Sequence, residues 1–266
     1  MKNRYLRVAV VLAALVCAGC AVRTEIETPT ASIKPVGRLV VAQDSGAKFQ
    51  TISAALDSAR DGDTVFVMPG EFREVVKIVK LRHLTLLGAD PAATIIDAGD
   101  EYAAIELRTD SNRVTGFTVR GADSHGIWVR DGQQFIDHCL ITGNGDRGIY
   151  LSSMAGRAYA MVTHCTVADN GEVGIHAARD DSNTVITDCI IAFNPRGVVT
   201  DQPAGKIVVR RNCTFGNGVD FDRVTPGDSN FVKDPQFVDR PNGDFRPRKS
   251  SPCIGAGSHG TNLGAF

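Results

Sequence analysis

FIDHCLITGNGDRGIYL (135–151), VTHCTVADNGEVGIHA (162–177), VITDCIIAFNPRGVVT (185–200) and VVRRNCTFGNG (208–218) are four copies of one pattern, the last breaking off after its turn. The cysteines fall at 139, 165, 189 and 213, spaced by 26, 24 and 24 residues. Asparagines follow at 144, 170, 194 and 217, and a Gly-hydrophobe step recurs at 126, 148, 174 and 197. A period near 24 built from strand-like runs stacks one supersecondary unit on itself. The expected fold is therefore all-β, a parallel β-solenoid whose exposed ladders carry any binding or chemistry.

Working outward, the chain has 266 residues, enough for one elongated domain plus a targeting segment. Its 29 basic and 30 acidic residues leave no charge excess pointing to nucleic acid. Aromatic residues make up only 6% while glycines number 27, which suits short strands and tight turns. At the N-terminus, Lys2, Arg4 and Arg7 precede the apolar run VAVVLAALV (8–16), too short to span a bilayer. Cys17-Ala18-Gly19-Cys20 resembles a bacterial lipobox, although Cys17 stands where that motif usually has Leu. The resemblance implies a signal peptide over 1–20, lipidation of Cys20 and a membrane anchor there. Ala21 lacks the Asp that would retain the protein at the inner membrane, so the outer membrane is the expected location. Residues 21–37 read as a polar tether and 38–266 as the folded domain. Five cysteines remain after the leader, in an oxidising compartment.

Phe49 to Ala59 places Ile52, Ala55, Leu56 and Ala59 on one helical face, with Thr51 or Ser53 as N-cap and Gly62 as the stop. Alternating runs punctuated by Pro69-Gly70, Gly88 and Pro91 follow. The string F-x-T-I-x-x-A-L (49–56) with G-D-T-V-x-V-x-P-G-x-F-x-E (62–74) resembles the entry of pectin-lyase-like, right-handed parallel β-helix proteins. The tail DPQFVDRPNGDFRPRKSSPCIGAG…LGAF (234–266) is similar to the closing segment of bacterial secreted members. The resemblance implies a right-handed helix of about seven coils, with a helix near 51–60 and the tail covering its ends. It is specific for fold and not for activity, because the fold hosts lyases, hydrolases, esterases, epimerases and adhesins.

Pleat parity then sorts the ladders. Phe117, Cys139, Cys165, Cys189 and Cys213 should share one inward position, with Val119, Ile141, Val167, Ile191 and Phe215 two residues on. Ile105, Ile127, Ile149, Ile175 and Val198 form a third inward stack. Thiols stacked at sheet spacing of roughly 4.8 Å cannot converge on one zinc, so the cysteines read as core. The asparagines resemble the family's Asn ladder. His138, His164 and Asp188 read as solvated strand surface, although two imidazoles and a carboxylate are also metal-ligand types. No motif specifies a metal; Ca²⁺ would need converging carboxylates, and only Asp180-Asp181 is dense.

Two outward sets point to function. Glu106, Trp128, Tyr150 and His176 form a stripe, with Arg108, Arg130 and Ser152 two residues on. Rings beside arginines suit stacking on sugars and pairing with uronate carboxylates. In the turn before that strand, Asp146 and Glu172 share a register one coil apart, an expected separation of roughly 5–7 Å. His125 and Arg147 lie beside them, and the four form a candidate acid-base constellation. The double-Asp and Gly-His-Gly signatures of polygalacturonase-like hydrolases are missing, and so is the Tyr-Gly-Phe-Asp-Pro-His pattern of alginate epimerases. The expectation is a monomeric envelope lipoprotein that binds, and in one reading cleaves, an acidic polysaccharide. The alternative is a non-catalytic scaffold or adhesion module.

Overall fold

The computed structural model describes residues 37–152, 158–178, 184–201 and 207–266; Cys20, the tether through 36, and Asp180-Asp181 lie outside the described residues. One coil shows the build. Gly132–Asp137 runs in sheet A, Leu140–Thr142 in sheet B and Arg147–Ser152 in sheet C. Each strand pairs in parallel with its counterparts in the coils before and after. Among the described residues, sheets A and B hold eight strands each along the axis and sheet C seven. The fold is an all-β, right-handed parallel β-solenoid of about seven turns, with one short α-helix among the described residues.

Two corners per coil are single residues in the left-handed region. The corner between sheets A and B is Gly116, His138, His164, Asp188 and Arg211 in successive coils, with φ between 48° and 80°. The corner between sheets B and C is Gly121, Gly143, Asp169, Phe193 and Gly216, with φ between 56° and 72°. Left-handed backbone costs a non-glycine residue roughly 1 kcal/mol, so stacking must hold these bends. The residue after each bend turns inward. After the second bend that residue is Asn144, Asn170, Asn194 or Asn217.

The asparagines form a continuous amide ladder. Asn144 Nδ2 donates to Asn170 Oδ1 at 2.9 Å, Asn170 Nδ2 to Asn194 Oδ1 at 3.1 Å, and Asn194 Nδ2 to Asn217 Oδ1 at 3.2 Å. Each Oδ1 also accepts the backbone N–H of the asparagine one coil earlier. The ladder explains the recurring glycine. A Cβ on Gly126 would lie 2.7 Å from Asn144 Nδ2, and one on Gly148 would lie 2.9 Å from Asn170 Nδ2 and 2.7 Å from Gly174 O. The step is Gly because the amide occupies the space of a side chain.

Cys139, Cys165 and Cys189 point into the core and are fully buried. Each thiol donates to the carbonyl two residues before it, at 3.3, 3.4 and 3.1 Å. Burial pushes the Cys139 pKa up to about 12, so this thiol stays protonated.

Cys213 and Phe215 do not follow. Ile191 pairs with Thr214, and Cys213 pairs with Ile190, so the register has moved by one residue and both side chains face out of the coil. Asn212 takes the cysteine's place, accepting from Cys189 N at 2.9 Å and donating to Asn230 Oδ1 at 3.0 Å. The physical reason is the amide ladder. Asn194 and Asn217 are 23 residues apart, one fewer than Cys189 and Cys213, and both sets cannot stack in one coil. Buried amides left unpaired cost more than a misplaced thiol.

The helix spans Ile52–Ser58, with Thr51 as N-cap and Ile52, Ala55 and Leu56 buried. Ala59 ends it in extended conformation, while Gly62 (φ 84°) serves the following turn. The Glu74 carboxylate accepts Ile52 N at 2.7 Å and Ser53 N at 2.9 Å, satisfying donors at the helix start. The tail is also displaced from its expected role. It packs along the outer face of sheet B, where Phe237, Phe245, Cys253, Leu263 and Ala265 cover Leu140, Ala168, Ile190 and Cys213. His138, His164 and Asp188 are accordingly corner residues and not a solvated strand. The two imidazoles stack at 5.0 Å, His164 Nε2 meets Thr261 Oγ1 at 3.1 Å, and buried Asp188 accepts Ser258 N at 2.9 Å. At the far end of the coils, residues 227–230 lie against the last sheet A strand, Gly227 N donating to Val209 O at 2.8 Å.

Replacing Asn170 by Ala strands the Asn144 amide and two backbone carbonyls in the interior. Urea unfolding should show a loss of about 3 kcal/mol; a loss under about 0.5 kcal/mol would contradict the ladder's role.

Candidate functional site

In sheet C the register sets Lys77, Glu106, Trp128, Tyr150, His176, Val199 and Asp222 in one outward column. Ala103, His125, Arg147, Val173 and Arg196 form the column at the strand starts. The two columns lean together. Tyr102, His125, Trp128 and Tyr150 make a ring cluster, with His125 at 5.1 Å from Tyr102, 5.5 Å from Trp128 and 4.6 Å from Tyr150. Tyr150 continues the contact to His176 at 5.3 Å.

Outward does not mean exposed here. Glu106, His125 and His176 are buried, and Trp128 and Tyr150 are half-buried. Tyr102, 54% exposed, is the ring that meets solvent. It lies opposite Ser124 in the turn before the strand, where His125 N donates to its carbonyl at 2.9 Å. Tyr102 and Lys77 are the two site residues that sequence reasoning missed. Lys77 falls in a coil 29 residues before Glu106, outside the period near 24, but Tyr102 could be found by aligning 102–107 with 124–129.

The charges are paired inside this frame. Glu106 Oε1 accepts from Arg108 Nε at 2.7 Å and Arg130 Nη1 at 2.9 Å. Burial alone would raise the Glu106 pKa, and the two guanidiniums outweigh it and hold the carboxyl below its ordinary range. Arg130 also lies over Trp128 at 4.2 Å and Arg147 over Tyr150 at 4.6 Å, both cation–π contacts. Arg147 Nε donates to His176 Nδ1 at 2.9 Å. A guanidinium only donates, so Nδ1 accepts, and Nε2 carries the proton toward Asp201 Oδ1 at 3.2 Å. His176 is thus held as one neutral tautomer, its pKa lowered by burial against the opposing pull of Asp201.

Asp146 and Glu172 are neighbours across one coil step, Glu172 N donating to Asp146 O at 2.7 Å. Burial and the Glu172 carboxyl raise the Asp146 pKa, and the Asp146 carboxyl lowers that of Glu172. Of the two, Asp146 holds its proton to higher pH. Arg147 binds Asp146 and Arg196 binds Glu172.

All ten candidate residues join one contact chain. It runs from Arg108 through Glu106, Arg130 and Trp128 to His125, Tyr150, Arg147 and His176, and from Arg147 through Asp146 to Glu172, whose N–H donates to Asp146 O. Beside Trp128, a recess of about 180 Å³ is lined by Lys77, Glu101, Tyr102, Glu106, Arg108 and Arg130, among others. Lys77 is exposed and makes no ion pair among the described residues. Three buried polar atoms of the cluster lack a hydrogen-bond partner: His125 Nε2, Trp128 Nε1 and Asp146 Oδ1. Among the described residues no three His, Cys, Asp or Glu side chains converge as metal ligands.

His125 has the largest shift of the cluster: burial first, then Arg147, lower its pKa to about 4, against the opposing Ser124 hydrogen bond. It is a neutral imidazole at neutral pH. Between the ordinary value of 6.5 and about 4, the unfolded chain binds the proton more tightly, so stability rises with pH across that window and is lost as pH falls through it. The contribution is about 3 kcal/mol. His125→Phe should flatten the pH dependence of the melting temperature between roughly pH 6.5 and 4; an unchanged slope would place the acid sensitivity elsewhere.

Solved structures with this architecture include pectate lyase Pel9A, 12% identical with a TM-score of 0.50 over 88% of this chain and 97% of that one. An alginate lyase from Paenibacillus sp. str. FPU-7 is 16% identical with a TM-score of 0.48, over 74% of this chain and 75% of that one. A pectin methylesterase from carrot is 17% identical with a TM-score of 0.40, over 74% and 77%. At these identities the likeness concerns the fold alone. No curated protein matches the sequence. The model of the right handed beta helix region matches residues 103–244, more than half of the chain, and the chain belongs to that family.

Proposed function

We propose that this protein is an envelope lipoprotein, anchored through Cys20, that binds an acidic polysaccharide on the outer face of sheet C. The observation that carries the binding reading is the recess between Tyr102 and Trp128, with Lys77 at its edge. The two rings stand 5.4 Å apart at 61°, forming a corner that accepts the C–H face of a sugar. Arg108 and Arg130 are engaged by Glu106, so Lys77 is the cation left to meet a uronate carboxylate. The architecture shared with pectate lyase Pel9A is compatible with this substrate class.

A second reading, cleavage, rests on Asp146 and Glu172, carboxyls one coil step apart whose pKa values are pushed in opposite directions, a pairing suited to acid-base work beside the ring cluster. The anchor reading rests on Cys17-Ala18-Gly19-Cys20 and is tested separately, by palmitate labelling of wild type against Cys20→Ala.

Trp128 is the single tryptophan, so its fluorescence reports the recess directly. Oligogalacturonate or alginate oligomers should quench it and a neutral glucan should not. Lys77→Ala should weaken acidic-oligomer binding about 10-fold, equivalent to 1.4 kcal/mol; equal affinity of wild type and variant would remove the proposed carboxylate contact. For cleavage, new chain ends should appear with wild type and vanish in Asp146→Asn/Glu172→Gln, with the melting temperature retained. Polymer of unchanged length with wild type would leave binding alone.

A further inference from the structure

The register shift in the last coils brings together two cysteines that are 40 residues apart in sequence. Cys213 leaves the core ladder and faces the tail, and Cys253 of the tail lies in the same apolar cluster; both are fully buried. Each thiol is the first influence on the other's titration, Cys253 raising the pKa of Cys213 and Cys213 lowering that of Cys253, and the Cys213 thiol reaches Lys233 O at 3.1 Å. Cys253 is held from both sides of its backbone. Its N–H donates to Ser251 Oγ at 3.1 Å, and its carbonyl accepts Leu263 N at 2.9 Å. The three core thiols belong to the interior cluster and not to the one under the tail, and each donates to a carbonyl of its own coil.

We propose that Cys213 and Cys253 form a disulfide that staples the C-terminal tail to the outer face of sheet B. The oxidant is a disulfide donor. One cysteine thiolate attacks a sulfur of the donor and expels one donor thiolate; the second cysteine thiolate attacks the resulting mixed disulfide and expels the other. One S–S bond breaks and one forms, the cysteines lose two electrons, and the donor leaves as two thiols after proton uptake. The docked tail seals both sulfurs from solvent, so exchange precedes docking. Docking itself uses polar clips that do not need the bond. Ala265 N donates to Thr166 Oγ1 at 3.1 Å, Gly264 N to Asp188 O at 3.1 Å, and Arg240 pairs with Asp169. A cross-link closing a loop of this length constrains the unfolded chain strongly.

The test uses the full chain refolded with glutathione disulfide, then alkylated without reduction and digested. The expected product is a peptide pair joined through Cys213 and Cys253, with Cys139, Cys165 and Cys189 recovered alkylated. Reduction should lower the melting temperature by about 10 °C in wild type and leave Cys253→Ser unmoved. Cys213 and Cys253 recovered alkylated, or joined to other cysteines, would overturn the proposal. So would a linked pair whose reduction leaves the melting temperature unchanged.

Discussion

The asparagine amide ladder at the corner between sheets B and C is the interaction on which the rest of this structure depends. A solenoid coil has no local reason to bend where it does. Corner residues such as Asp169 and Phe193 accept left-handed backbone at a cost. The amides return that cost by satisfying the turn's own polar groups. Asn170, for example, donates to Ile141 O and Ala168 O as well as to the next asparagine. Because each amide needs the one above it, the ladder sets the register of every strand that follows. The glycine step of sheet C is part of the same device, since the amide lies where its Cβ would be.

That dependence shows most clearly where two periodicities conflict. The cysteine and asparagine spacings agree from the first to the third cassette and differ by one residue into the fourth. The amides prevail because an unpaired buried amide loses hydrogen bonds, whereas a thiol moved to another apolar environment loses little. The pleat then turns Cys213 and Phe215 outward, and the tail supplies the cover that makes this tolerable. A single residue of register thus links the repeat to the C-terminal segment.

On sheet C the same strand geometry builds a polar device instead of a plain stripe. Parity aligns Glu106, Trp128, Tyr150 and His176, while the strand starts bring His125 and Arg147 in among them. The result is a partly desolvated layer in which arginines serve as hydrogen-bond donors and as cations over rings. Desolvation explains why His125 stays neutral and why the Asp146 pKa is raised. Fixed tautomers and paired charges make a rigid surface, with Tyr102 and Lys77 as its solvent-facing parts.

Much of this was legible in the chain itself. The repeat, the inward ladders at Ile105 to Val198, the Asn ladder and the outward column from Glu106 to His176 all follow from period and parity, because both are local properties of strands and turns. The N-terminal helix was legible for the same reason. Burial of the outward column, the arginine pairing of Asp146 and Glu172, the edge contact of Tyr102 with His125 and the course of the tail were not. Each depends on which side chains meet across coils or across sheet B, and sequence spacing carries no measure of how far a side chain leans or what later packs upon it. The period alone determined the solenoid; only tertiary packing decided which of its outward faces became a site and which became an interface, because desolvation belongs to the assembled surface and not to any one strand.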